Sequence, residues 1–300
     1  IKPVTGAPAR IPSLEYDGVC MLPTDRALWY IESHLDEQIT LDTLAAVAAI
    51  SRYHLSRSFG YAFGMPIRDY VRRRRLSMAA SALAAGEARI LDLALSLGFS
   101  SHEAFTRAFR DCFGCTPETV RARGHTNDLS LTEARLMSSQ PATNIADPEI
   151  RQRKASGYAG LNRRHTIAGA GAIPGQWQAF APQIPAIRDC PADDPAAYGI
   201  VHAADDDGFE YLCAMPVTRR PASPAGLTYL ELPEATCAVF RHEGHIAGIR
   251  ATCNAIWSQW LPASTLRPVE APWFERYPPS FDPATGLGGI EIWIPVEPND

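Results

Sequence analysis

In Pro272-Trp273-Phe274-Glu275-Arg276-Tyr277-Pro278, strand alternation puts Trp273, Glu275 and Tyr277 on one face and Phe274 and Arg276 on the other. A carboxylate between two aromatic rings is a cation receptor. The rings offer π faces to a delocalised or quaternary charge, and Glu275 supplies the counter-charge in a poorly hydrated cleft, where it counts most. Glu291 and Trp293 share a face of the last apolar run, and Trp177, Tyr211, Trp257 and Trp260 are further rings to line or back the same groove. For Trp257 and Trp260, at helical spacing, a plain core role is the competing reading, and for Glu275 it is a salt bridge on a surface strand.

A second set of residues occurs twice. Arg57-Ser58-Phe59-Gly60-Tyr61-Ala62-Phe63-Gly64 recurs as Arg107-Ala108-Phe109-Arg110-Asp111-Cys112-Phe113-Gly114, each copy preceded by a short Ala/Leu-rich helical stretch and a turn. Leu55, Phe59 and Phe63, and likewise Phe105, Phe109 and Phe113, stand four apart and form the buried stripe of their helix. The opposite rows, Tyr53, Ser56, Arg57 and Gly60, then Glu103, Thr106, Arg107 and Arg110, face outward and suit base edges and phosphates. This duplicated helix-turn-helix makes Arg52, Tyr53, Ser56 and Arg57 the first set of DNA readers. Ser101, His102, Glu103, Thr106 and Arg107 form the second. The run Arg72-Arg73-Arg74-Arg75, in a helix expected from Pro66 to about Ala84, supplies phosphate contacts.

The surrounding elements follow from periodicity. Ala27, Leu28, Ile31 and Leu35 form an apolar helical stripe, and Thr40 caps a helix from Leu41 to Ala49. Gly, Ser, Thr and Asn gather between Gly124 and Asn144, around a short helix expected near Leu131 to Met137, and read as a linker. Beyond it come short β-type runs, Thr166–Ile173, Tyr198–Ala203, Phe209–Val217, Ala235–Glu243, Trp273–Tyr277 and Gly289–Val296, with helices around Gln176–Ile187 and Gly248–Leu261. Strand, helix, strand, strand occurs twice, and two such modules side by side leave a groove suited to a small molecule. The fold class expected is multidomain: an all-α N-terminal domain with two helix-turn-helix motifs, then an α+β domain of two strand-helix-strand-strand modules. Its boundaries are 1–22 for a loose arm, 23–124 for the helical domain, 125–155 for the linker and 156–298 for the α+β domain.

Composition agrees with two soluble domains, since 300 residues at 46% hydrophobic are enough for two cores. The net charge of −5 is uneven: residues 22–125 hold 13 arginines against 11 acidic side chains, and residues 151–300 hold 12 basic against 16 acidic. Such asymmetry points to two partners of different kind. Seven cysteines without a framework fit a reducing cytoplasm, and Cys112-Phe113-Gly114-Cys115 lacks the second pair that zinc needs. No apolar run approaches the roughly 18 residues of a membrane span.

Ser51-x-x-x-Leu55-x-Arg57-x-Phe59…Gly64, Arg75-Leu76…Ala79 and Gly98-Phe99-Ser100-Ser101…Phe105-Thr106-Arg107-Ala108-Phe109…Phe113-Gly114-x-Thr116-Pro117 closely resemble the AraC/XylS transcription regulators. The resemblance implies a seven-helix DNA-binding domain whose two recognition helices enter successive major grooves about 34 Å apart. Glu103 departs from it, placing a negative charge where many members have a neutral polar residue; it either accepts from a cytosine amino group or points away. Phe240-x-His242-x-Gly244, Phe274-Glu275-x-Tyr277 and Gly289-Ile290-Glu291-Ile292-Trp293-Ile294-Pro295-Val296 look like the GyrI-like effector-binding domain. In that family the glutamate matching Glu275 sits in the central cavity and pairs with cationic ligands. The domain order resembles that of Rob-type regulators.

The expected function is a transcription regulator in which a small hydrophobic or cationic compound in the C-terminal groove changes promoter binding or polymerase recruitment. Its partners are then double-stranded promoter DNA, a small-molecule effector and RNA polymerase, with no membrane and no cofactor; monomer and dimer both stay open. A hydrolase with Glu275 activating water beside Trp273 or Trp293 is the alternative that some GyrI-like domains suggest, but no nucleophile, metal set or phosphate loop accompanies the carboxylate. Ligand sequestration without a DNA response is the third reading.

Overall fold

The computed structural model describes residues 22–86, 89–135, 145–205, 208–220 and 226–299, so the expected arm lies outside the described residues. The chain falls into two compact units. One gathers the chain up to Leu55 and from Arg75 into the linker, and the other gathers Ser56–Arg74 with everything beyond the linker.

The first unit holds α1 (Pro23–Ser33), α2 (Leu41–Ala48), the start of α3 (Arg52–Phe63), the rear of α4 (Ile67–Ala85), α5 (Ile90–Ser96), α6 (His102–Phe113) and α7 (Pro117–Arg123). Among these helices, hydroxyl caps start α2, α3, α6 and α7. Thr40 accepts from Thr43 N at 3.1 Å, Ser51 from His54 N at 3.1 Å, Ser101 from Ala104 N at 3.1 Å and Thr116 from Thr119 N at 3.3 Å. Left-handed residues stop them: Ala49 after α2 (φ 57°), Gly98 after α5 (φ 80°) and Gly114 after α6 (φ 72°). Phe105 and Phe109 are fully buried among Leu76, Ala79, Ala80, Leu83, Ala94, Leu97 and Val120, with Phe113, Cys112 and Cys115 packed at the edge. The segment expected to be linker begins as packed chain: Leu129 and Leu131 lie against this core, and Thr132 N donates to Ser77 Oγ at 2.9 Å. Leu131–Arg135 is irregular rather than helical, and the rest of that expected helix lies outside the described residues.

Arg75 corrects one expectation. Its guanidinium turns inward, with Nε donating to Leu35 O at 2.8 Å and Nη2 to Glu37 O, so it ties α4 to the loop after α1 instead of reaching for phosphate. Burial lowers its pKa, while the nearby Asp36 carboxylate pulls the other way. Arg75→Ala leaves those carbonyls without their donor and is expected to cost about 1–2 kcal/mol of stability, read as a lower urea midpoint at unchanged slope.

The second unit is built on one antiparallel sheet. Its strands are β1 (Glu149–Arg153), β2 (Ser156–His165), β3 (Ala197–His202), β4 (Phe209–Val217), β5 (Thr228–Leu232), β6 (Ala235–His242), β7 (Leu266–Pro268), β8 (Trp273–Tyr277) and β9 (Ile290–Pro298). The order is β1-β6-β9-β8-β3-β4-β2-β5, with β7 on β9. Two strand-helix-strand-strand modules are evident: β2, α8 (Ile173–Phe180), β3 and β4, then β6, α9 (Ile249–Ala255), β8 and β9. They join where β3 pairs β8. The strand expected at Thr166–Ile173 is instead a 3₁₀ turn, Ala168–Ala172, leading into α8. Its Ala-Gly-Ala-Gly-Ala run has no β-branched side chain to pack on a sheet. The true strand, β2, precedes it. Glu149–Arg153, expected in the linker, is the edge strand beside β6.

Candidate functional site

Register decides which side chains share a face. Gly199 of β3 stands opposite Glu275 of β8 and Cys213 of β4, and Val201 stands opposite Trp273 and Tyr211. Trp273, Glu275, Tyr277 and Tyr211 therefore project from one face. The Tyr211 hydroxyl donates to Glu275 Oε2 at 2.8 Å and the Tyr277 hydroxyl donates to the same oxygen at 2.7 Å. Trp177, on α8, donates its indole N–H to the Tyr211 oxygen at 3.3 Å and meets the Tyr277 ring edge-on at 5.1 Å. Gln176 pins α8 to the sheet: fully buried, its Nε2 donates to Leu161 O at 2.9 Å and Tyr211 O at 2.7 Å.

On the other flank, α9 and the π turn that continues it, Ile256–Trp260, bring Cys253 and Trp257 to the same face. Trp257 meets Trp273 at 6.3 Å. Trp260 packs on Phe240 at 5.0 Å and donates to Asp147, and so serves the core and edge. The Trp273 indole N–H is buried with no acceptor among the described residues.

Glu275 is thus a carboxylate in an aromatic setting. Burial raises its pKa, while the Tyr277 and Tyr211 hydroxyls and His242 pull the other way. Its ion pair is missing among the described residues: the nearest arginine in sequence, Arg276, points to the other face, bonded to Asp194 at 2.9 Å. That same face takes Trp293, which corrects the expected ligand set. Trp293 pairs in register with Phe274, stacks on it at 5.5 Å and 19°, and donates to Glu291 at 3.0 Å. Sequence reasoning missed Gly199. A Cβ there would stand 1.9 Å from the Tyr211 oxygen and 3.1 Å from Glu275 Oε2, so glycine opens the space in which the two meet. It also missed His242 as the carboxylate's neighbour, although the motif around it was visible.

Among the expected DNA readers, Arg52 is exposed, 3.4 Å from Asp42, and Tyr53, Ser56 and Arg57 are half-buried. Gly60, placed in the same outward row, is buried. Arg72 and Arg73 are exposed and Arg74 is half-buried. On α6 the outward face carries Glu103, Arg107 and Arg110. Ser101 is spent on capping, and His102 lies 3.3 Å from Glu118 of α7. Glu103 turns back to the helix start: its own backbone N–H and the Ser101 hydroxyl lower its pKa, so its charge serves the helix N-terminus. Thr106 does not present its hydroxyl, which is shielded and has no partner among the described residues. Among the described residues no helix is long and apolar enough to cross a membrane.

Residues 146–297 match the GyrI-like small molecule binding domain, and residues 44–123 match a helix-turn-helix domain family. The right origin-binding protein of Escherichia coli (strain K12) is 44% identical over 292 residues, 91% of this chain and 96% of that protein. The transcriptional regulator Rob of Salmonella typhimurium is 29% identical over the same shares. The regulatory protein SoxS of Escherichia coli (strain K12) is 36% identical over 94 residues, 31% of this chain and 88% of SoxS. Both matched regions occur together in one kind of protein, and the chain belongs to the AraC-type DNA-binding transcription regulators that carry a C-terminal GyrI-like small-molecule-binding domain.

Proposed function

We propose that a lipophilic cation held over Glu275 controls how this regulator binds its promoter. The observation that carries the reading is the carboxylate itself. Glu275 accepts two phenol O–H groups, from Tyr211 and Tyr277, shares its face with Trp273, and among the described residues has no lysine or arginine ion pair, with only His242 and the phenols offsetting its burial. A bound organic cation supplies the missing charge and lays its apolar groups on the rings. Residues 23–124 act as the DNA-binding part and the sheet from β1 onward as the sensor, with RNA polymerase as a further partner at the promoter. The test is promoter affinity by anisotropy with and without tetraphenylphosphonium, on DNA selected by the intact chain from a random pool. A shift of about fivefold or more is expected; identical affinity at saturating cation, with tryptophan fluorescence unmoved, refutes the reading.

The reading head of α6 follows from its geometry. Arg107, exposed and flanked by Arg110, is the group free to form a bidentate contact with guanine. Arg107→Ala is expected to cost about 1–3 kcal/mol of DNA binding and to relax sequence preference at one position. Thr106→Val, by contrast, is expected to leave affinity within about threefold, because its hydroxyl is already turned away from solvent.

A further inference from the structure

The two copies of the repeat differ on their outward face. The second copy has Arg110 and Asp111, both exposed; the first has Gly60 and Tyr61, a missing side chain and an aromatic ring. The difference has a structural counterpart, because Ser56–Arg74 belongs to the same compact unit as the sheet. Arg57, Gly60, Tyr61 and Gly64 recur at helical spacing along one face of α3 and its end, and each meets the sensor. The Arg57 guanidinium carbon stands 5.9 Å from the Phe209 ring centre. A Cβ on Gly60 would come within 3.0 Å of Ile167 Cδ1, and one on Gly64 within 3.0 Å of Arg250 Nη2. Beside this row, Ser58 donates to Trp257 O at 2.8 Å.

Tyr61 reaches farthest. Its ring meets Trp273 edge-on at 6.5 Å, and its hydroxyl is hydrogen-bonded to Cys253. Burial raises the phenol's pKa, with Cys253 and Glu275 adding to the rise, which puts the hydroxyl within electrostatic reach of the carboxylate. A side chain of the first reading helix thus occupies the aromatic face that carries Glu275, and two members of that helix's reading row, Arg57 and Gly60, are held against the sensor.

We propose that Tyr61 is a built-in plug: docked, it fills the effector cleft and holds the first reading helix away from DNA, and an entering lipophilic cation displaces it. The proposal rests on the effector reading of Glu275 and adds the coupling element. Ligand and docked helix compete for one surface, so ligand favours the undocked, DNA-competent state, and DNA favours ligand by the same factor.

The test uses the intact chain, selected DNA and tetraphenylphosphonium. Tyr61→Ala removes the plug, and Ile167→Glu places a charge under the Gly60 seat without altering the helix that reads DNA. Both are expected to tighten DNA binding without cation by about fivefold or more and to shrink the cation's effect on it. Tyr61→Ala is also expected to bind the cation more tightly. Unchanged DNA affinity in both variants, or weaker cation binding by Tyr61→Ala, overturns the plug. The parent reading fails separately: if Glu275→Gln leaves cation affinity unchanged while both variants still tighten DNA binding, docking restrains the helix and the occupant of the cleft is not a cation.

Discussion

Glu275→Gln is expected to weaken tetraphenylphosphonium binding by about 2 kcal/mol or more, roughly thirtyfold, because it removes the counter-charge and keeps the shape. Neutral triphenylphosphine oxide, which offers similar rings and no net charge, should lose less than about threefold, since π contacts and area are untouched. The ratio of the two losses isolates the charge. In the wild-type chain cation affinity should fall as pH drops through the raised pKa of Glu275, because a protonated acid carries no charge to pair; in the Gln variant the same titration should be flat. Stability moves the opposite way. A carboxyl whose folded pKa is raised contributes most below its unfolded pKa, about 4.3 for glutamate, and that contribution is lost as pH rises through the folded value. The Gln variant should therefore gain melting temperature relative to wild type as pH is raised from the unfolded value through the raised folded one. Equal cation affinity in both proteins, measured by calorimetry at pH 7.5, would remove Glu275 from the site.

What the sequence reveals here follows the reach of its periodicities. The Leu55, Phe59, Phe63 and Phe105, Phe109, Phe113 stripes are legible because spacing within one helix fixes which side is buried. In the structure Leu55, Phe59, Phe105 and Phe109 are fully enclosed. Trp273, Glu275 and Tyr277 are legible for the same reason within one strand. Trp293 is not, since each strand reveals only its own alternation, and the phase between β8 and β9 is set by a pairing register that places Trp293 opposite Phe274. The arginine run hides Arg75 because four identical side chains look alike. Val71, Arg75 and Ala79 nevertheless stand at i, i+4 and i+8, so the inward-facing row was available as a signal. β2 was obscured by Asn162-Arg163-Arg164, a polar end on a strand whose inner residues, Tyr158 to Gly160, are buried. Tyr61 was hidden by the resemblance between the copies, which drew attention to what they share rather than to Gly60 and Tyr61, where they part.

Gly199→Ala is expected to be the most damaging small change in the GyrI-like domain. β3 is central, hydrogen-bonded to β4 on one side and β8 on the other, so its backbone has no room to withdraw. An added methyl would lie 1.9 Å from the Tyr211 oxygen and 2.7 Å from its ring carbon Cζ. Tyr211 is itself buried and held by Trp177 from α8, and so it must turn away and give up its bond to Glu275. Overpacking of this kind costs about 1–3 kcal/mol, and a lost hydrogen bond to a charged group about 1.5–3 kcal/mol. At about 2–4 °C per kcal/mol, the melting temperature should drop by roughly 5–25 °C. Cation affinity should fall with it, because a Glu275 that loses one phenol donor is no longer held in place. Gly175→Ala, in α8 with nothing within 4 Å of the added carbon, is the matched control: it should leave cation affinity unchanged and, as a helical Gly→Ala change, raise stability by about 0.4–1 kcal/mol rather than lower it. Adding Tyr211→Phe to Gly199→Ala removes the closest atom, so part of the stability should return while cation binding stays weak. That split separates strain from recognition. If Gly199→Ala keeps both wild-type stability and wild-type affinity, Tyr211 moves aside without cost and Glu275 does not depend on it.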